Sequence, residues 1–468
     1  GYTNGAGSSE YKMLSYFARV NYTLMDRYLF EVNMRADASS RFHKDHRWGY
    51  FPSFSAGWRM SEESFMKDIE WINNLKIRAS YGTLGNINNV GNYDYFQNYS
   101  SGNHYNFSDS PVIGIGESKP ANETLGWEKV ALTDIGLDFD IFNGLLGVTA
   151  DYYIKNTSDI LLGYNVPTET GITAAPSQNI GKVKNTGFEL ALNHRNKIGA
   201  VNYSIGANIA TNKNKITNLG GSDNIIQTSS YIVKYILKKG ESIGSFYGFK
   251  TDGLYTQADI DAGHYYTLSG VVPNAGDIKF VPQRDIEYKQ EITDEDRTIL
   301  GKDVPDFTYG VNLSLQYKGF EFSMFGQGIS GTKVAFDVYG VHPFYHGQDS
   351  PRKYHLKRWT EENPNPHAAY PRIYSASSVH TTYNRNFSDY HLFDSDYFRF
   401  KTLSLGYTVP SATVKNWGLQ SLKVYVTGEN LFTVRADKKM EDFDPETAGG
   451  VIYTLGTKSV AFGVNISF

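Results

Sequence analysis

The final residues alternate without a break: Val460, Phe462, Val464, Ile466 and Phe468 share one parity, while Ser459, Ala461, Gly463, Asn465 and Ser467 share the other. Side chains of an extended chain point to opposite faces in turn. The segment therefore predicts a strand with one apolar face and one small or polar face, finishing on an aromatic residue. A strand of a soluble sandwich has no reason to finish this way, whereas the last strand of an outer-membrane barrel does, with one face for lipid and one for water.

The same period of two recurs along the chain. In Arg27 to Asp37, Tyr28, Phe30, Val32, Met34 and Ala36 alternate with Arg27, Leu29, Glu31, Asn33, Arg35 and Asp37. Charged side chains cannot face hydrocarbon cheaply, so that parity must face water or a plug. Similar alternation at 146–154, 188–192, 201–209, 311–317, 320–324, 395–409 and 422–426 brings the total to about fourteen strands. The expected fold class is all-β, a transmembrane antiparallel β-barrel, because strands of roughly 10 residues tilted by about 45° cross an apolar band of ~25 Å. A mean hydropathy of -0.42 does not argue against it, since alternating strands carry little net hydropathy.

The connections alternate in length. Short ones fall at 23–26, 61–74, 142–145, 194–200, 317–319 and 410–420; long ones fall at 38–49, 83–125, 156–178, 212–304, 330–394 and 433–457. Short turns on one side and long loops on the other is the periplasmic and extracellular arrangement of such barrels. On this count Phe468 lies on the short-turn side.

Catalytic signatures are weak. Gly240-Glu241-Ser242-Ile243-Gly244 fits a nucleophile elbow, but the motif needs a helix after the serine, and Ser245 to Lys250 reads as extended chain. His342 and His346 are four apart, yet Pro343 and Gly347 oppose the helix that would aim both at one metal. The acidic stretch from Asp277 to Asp296 offers hard oxygen ligands but lacks the spacing of a calcium loop, so a solvated loop is expected. With no cysteine, thiolate catalysis and cysteine metal sites are excluded. A net charge of -4 provides no basic stripe for nucleic acid. The expectation is a protein that is not an enzyme and needs no cofactor or metal.

Eight segments in order carry a family resemblance: Tyr28 to Phe42 (YLFEVNMRADASSRF), Tyr50 to Met60 (YFPSFSAGWRM), Leu75 to Asn86 (LKIRASYGTLGN), Asn122 to Lys129 (NETLGWEK), Asn179 to Leu190 (NIGKVKNTGFEL), Asp296 to Gly301 (DRTILG), Phe307 to Lys318 (FTYGVNLSLQYK) and Gly428 to Thr433 (GENLFT). The chain resembles the C-terminal barrel part of a SusC/RagA-type TonB-dependent outer-membrane transporter of the Bacteroidetes. The resemblance implies a barrel of about 22 strands, an N-terminal plug that meets TonB, and a SusD-like surface lipoprotein as lid. Residues 1–468 would then be the C-terminal portion of that barrel, with the plug and remaining strands outside these residues. The long extracellular loops would lie near 83–125, 212–304 and 330–394. Members of the family often carry a calcium-like loop after Gly-Asp-Ile-Lys. Here Gly276-Asp277-Ile278-Lys279 runs into Phe280-Val281-Pro282-Gln283-Arg284, so the ion is not carried over.

The function implied is TonB-dependent import of a large nutrient across the outer membrane of a Gram-negative bacterium, an oligosaccharide first and an oligopeptide second. A passive fourteen-stranded porin and a structural or adhesive surface barrel are the alternatives. Candidate ligand-binding residues lie in the 83–99 loop: Asn86, Asn88, Asn89 and Asn92 can donate and accept hydrogen bonds, and Tyr93, Tyr95 and Phe96 can stack on sugar rings. Packing of the loop is the competing role for each aromatic. Phe344 and Tyr345 form a second, weaker candidate group.

Overall fold

The computed structural model describes residues 8–107, 110–163, 177–228, 232–336, 341–344, 350–446 and 456–468. The chain divides into two compact units, Gly1–Leu190 with Asn214–Asp223, and Ala191–Lys213 with Asn224–Phe468. In the first, strands Met13–Leu24, Tyr28–Ser39, Trp48–Arg59, Ile72–Asn86, Glu128–Ile141 and Leu146–Gly163 pair antiparallel in that order and continue to Ser177–Ile198. In the second, Val201–Thr211, Phe307–Tyr317, Phe320–Ser330, Tyr397–Thr408, Ser421–Arg435 and Ser459–Ser467 do the same. Lys213–Leu219 branches from Ser177–Ile198, inside the 212–304 stretch read as a connection; the described residues thus give seven consecutively paired strands in the first unit and six in the second, where about fourteen were expected.

The hairpins follow from local backbone chemistry. Met25 and Asp26 both take positive φ, 53° and 56°, and the Arg27 N–H donates to the Leu24 carbonyl at 3.1 Å. Lys318 and Gly319 do the same at 45° and 88°, closing Tyr317 against Phe320. Two consecutive residues of positive φ match the right-handed twist of paired strands. One expected turn is shorter than read: the Ser177–Ile198 strand keeps His194 to Lys197, leaving Gly199 and Ala200 to turn. Polar residues in a ladder with a watery face look like loop in sequence. For the same reason Phe320–Ser330 and Ser421–Arg435 run well beyond the segments read from alternation.

Register assigns the faces. Phe17 pairs with Arg35, Arg19 with Asn33 and Ser15 with Asp37, and Asn33 then meets Ser53. On the opposite face Val20 pairs with Val32 and Tyr22 with Phe30, and Val32 meets Phe54. This apolar row lies bare: Val20 is 64% exposed and Phe54 51%. In the second unit Phe462 is 84% exposed and Val464 58%. Rows of large apolar side chains opposite a charged face have lipid as their natural solvent. Val32→Arg, at mid-strand, is expected to cost about 2–4 kcal/mol in a bilayer, and Asn33→Arg little; reversible unfolding of the full-length protein in liposomes would expose equal costs, and so a wrong face assignment.

The largest cores lie in the long connections of the second unit, which are not open loops. Asn224–Thr228, Lys234–Lys238, Ser245–Gly248 and Thr298–Lys302 form a four-stranded sheet, and Lys250–Leu254 pairs with Ile278–Val281. Helix Gln257–Asp261 begins at Thr256, whose hydroxyl accepts from the Asp259 N–H in a capping box. Phe249, Leu254, Ile278, Phe280 and Ile292 share one core with Trp359, Ala368 and Tyr383 from the 330–394 connection. The solvated acidic loop expected from Asp277 to Asp296 holds for Asp285, Glu287, Asp294 and Glu295, which are exposed, but not for its two ends: the Asp277 and Asp296 carboxylates are fully buried. Asp277 accepts from the Asn274 N–H at 2.7 Å, His380 Nδ1 at 2.8 Å and Asn384 Nδ2 at 2.8 Å. Protein donors thus occupy oxygens that the sequence offered as ion ligands.

Candidate functional site

On the polar face of the first unit, unlike charges are brought together by register. Arg78 stands across from Gly136, and Gly136 across from Asp151. Lacking a side chain, Gly136 leaves room for the Arg78 guanidinium, which would lie 2.4 Å from a Cβ placed there. Arg78 reaches Asp151 at 2.6 Å, Asp138 at 3.2 Å and Asp134 at 3.4 Å. Arg35 pairs with Asp37 at 2.6 Å and Arg19 with Glu31 at 3.8 Å. Such a face holds water or polar chain, not hydrocarbon.

A cavity of about 1160 Å³ opens on this face, lined among others by Arg35, Asp37, Arg41, Asn86, Asn88 and Trp127. Its rim is fixed by a small apolar core of Phe42, Phe51, Val90, Leu125 and Trp127, against which Ile87 and Tyr95 pack. Trp127 Nε1 donates to the Arg47 carbonyl at 2.9 Å, tying the start of one strand to the 38–49 connection. Amide, guanidinium, carboxylate and indole groups in one cavity can bind a polar polymer by hydrogen bonds and stacking.

Among described residues nothing forms a cluster of three or more His, Cys, Asp or Glu side chains able to hold a metal. Ser242 Oγ donates to the neighbouring Ile243 carbonyl at 2.9 Å, and strand Ser245–Gly248 follows where an elbow needs a helix. His342 is buried with Nδ1 on the Tyr370 hydroxyl at 3.0 Å; burial, with His391, Arg385 and His355 nearby, pushes its pKa well below the usual histidine value. His346 lies outside the described residues.

Residues 1–431 match the family described as TonB dependent receptor-like, beta-barrel. The chain belongs to that family. It is 32% identical over 431 residues to TonB-dependent receptor P3 of Formosa agariphila, covering 91% of this chain and 41% of the relative. TonB-dependent receptor SusC of Bacteroides thetaiotaomicron is 29% identical over 467 residues, covering 97% and 43%. Among solved structures, that of the RagAB peptide transporter superposes with a TM-score of 0.77 at 25% identity, over 98% of this chain and 47% of the matched one. The chain thus spans less than half the length of the relatives it matches. It is a SusC/RagA-type TonB-dependent receptor barrel of the Gram-negative outer membrane.

In this receptor barrel the sequence-chosen residues divide. Asn86 and Asn88 line the cavity; Asn86 Nδ2 also donates to Glu128 at 3.2 Å, and its Oδ1 accepts the Asn88 N–H at 3.0 Å. Asn89 is exposed beside them. Asn92 lies off the lining but reaches it through Arg41, whose Nε donates to Asn92 Oδ1 at 2.9 Å. Tyr95 packs on the rim core and against Phe96, ring centroids 4.3 Å apart. Tyr93 and Phe96 are about half exposed. Phe344 is exposed with φ 60°, far from these in sequence, and Tyr345 lies outside the described residues. Sequence reasoning passed over Arg41 and Trp127. Trp127 sat inside a recognised segment, and Arg41 follows the charged parity of Arg35 and Asp37 by two more steps.

Proposed function

We propose that this chain forms the C-terminal part of the barrel of a TonB-dependent importer that takes up an oligosaccharide too large for diffusion pores. The observation that carries the reading is the cavity on the charged face, where Asn86 and Asn88 stand beside aromatic side chains such as Tyr11 and Trp127, with an apolar row for lipid on the opposite face. In this reading the long connections are extracellular, and those of the second unit make a folded mouth. A plug and the remaining strands lie on sequence outside residues 1–468. TonB acts through that plug, and a SusD-like lipoprotein closes over the mouth. Strand Met13–Leu24 has Tyr28–Ser39 as its only ladder partner among described residues. An edge in lipid leaves several kcal/mol unsatisfied per backbone group, which supports a neighbour for it. The barrel itself does no chemistry; it supplies a wall, a lumen and ligand contacts.

An oligopeptide is the second reading, favoured by the mixed charges Arg19, Glu31, Arg35 and Asp37 in the same cavity, which suit a chain bearing both signs. Cells expressing the full-length gene with its lipoprotein should accumulate labelled oligosaccharides, and a proton uncoupler should abolish the uptake. Uptake that survives the uncoupler would mean a passive pore, and no uptake with intact surface binding an adhesive barrel.

A further inference from the structure

We propose that Arg41 reads an anionic group, a carboxylate or sulfate, on the transported oligosaccharide, and that Asn92 is its positioning residue. This rests on the oligosaccharide reading above. Arg41 lies just beyond the Tyr28–Ser39 strand and lines the cavity together with Asn86 and Asn88. Its Nε donates to Asn92 Oδ1 at 2.9 Å, its Nη1 donates to the Ile87 carbonyl at 3.1 Å, and its Cζ stands 4.5 Å from the centroid of the Tyr11 ring. Asn92 is itself held, since its Nδ2 donates to Ser9 Oγ at 2.6 Å. Contacts on two edges and one face fix the guanidinium plane.

Every one of those partners is neutral. The other cationic groups of the cavity have carboxylates: Arg35 has Asp37 at 2.6 Å, and Arg19 has Glu31 at 3.8 Å. Among the described residues Arg41 has no carboxylate within ion-pair distance. A guanidinium carries five N–H donors, and the two hydrogen bonds to protein leave three for a ligand. A pre-oriented planar fork with spare donors and an unbalanced charge suits a carboxylate or sulfate, which accepts two parallel hydrogen bonds. A neutral sugar would gain little from the charge. If Arg41 merely stapled the 87–92 loop to the strand end, the same contacts would exist and ligand charge would not matter.

The test uses the full-length protein with its lipoprotein, purified in detergent, and fluorescence anisotropy with labelled probes of equal length. These are an oligogalacturonate, a sulfated malto-oligosaccharide, the neutral malto-oligosaccharide and an oligoglutamate peptide. At least one anionic glycan is expected to bind about tenfold tighter than the neutral one, and which one identifies the group. Arg41→Gln should remove the preference. Asn92→Asp keeps an acceptor for Arg41 Nε but supplies a countercharge, so it too should erase the preference; a preference that survives Asn92→Asp overturns the role given to Asn92. Equal binding of charged and neutral glycans by the unaltered protein, or a preference that survives Arg41→Gln, overturns the assignment while the oligosaccharide reading stands. Binding of the acidic peptide alone overturns both.

Discussion

Asp296→Ala is expected to destabilise the 277–302 segment by about 1–3 kcal/mol, the cost of removing a buried carboxylate that accepts several hydrogen bonds. The Asp296 carboxylate is 0% exposed. It accepts from the backbone N–H groups of Gln283 at 3.0 Å, Arg284 at 3.1 Å and Thr293 at 2.9 Å, and from Arg284 Nε at 3.1 Å and Nη2 at 2.6 Å. Alanine leaves those donors without their acceptor. Burial by itself raises the carboxyl pKa, but the Arg284 guanidinium and the backbone donors outweigh it and hold the value at about 2. Because the folded pKa lies below the ordinary carboxylate value, the stabilisation is fully present above about pH 4 and is lost as pH falls toward 2. The protection of the Gln283, Arg284 and Thr293 amides, relative to an unstructured chain at the same pH, should fall in the variant at neutral pH, and in the unaltered protein only in acid. Unchanged exchange at all three positions would sink the assignment.

Phe280→Ala is expected to cost about 3–5 kcal/mol, the usual range for deleting a fully buried aromatic ring. The Phe280 ring meets Phe249 edge-on at 5.6 Å and Tyr383 at 5.1 Å between centroids. Tyr383 belongs to the 330–394 connection, so the cavity weakens both long connections together. Limited proteolysis should open sites in 250–302 and in 353–394 at the same protease concentration, while the paired strands of the second unit stay protected. Cleavage confined to one segment would show that the two do not fold as a unit.

Much of the strand ladder is visible in sequence because a period of two, sustained by lipid on one side and water on the other, is a strong one-dimensional signal. The charged parity of Glu31, Asn33, Arg35 and Asp37 marked the polar face, and short connections such as Tyr317-Lys318-Gly319 marked the hairpins. The candidate site was legible in part. Asn86 and Asn88, which continue a strand into a loop rich in amides, line the cavity. Tyr95 takes the packing role that the sequence left open, since an aromatic in a polar loop reads the same whether it packs on the core of Val90 and Leu125 or faces a ligand.

The sequence by itself determined the all-β class, the main hairpins and which parity is apolar, because each depends on residues close together along the chain. The tertiary structure alone decided that Asp277 and Asp296 are buried rather than solvated, and that Arg41 stands among neutral partners. Ile278 donates its N–H to an asparagine 106 residues away, and Arg41 is held by Asn92, 51 residues on. Partners of Asp277 (His380 and Asn384) and of Arg41 come from segments this far apart, and the composition of their own segments carries no trace of them.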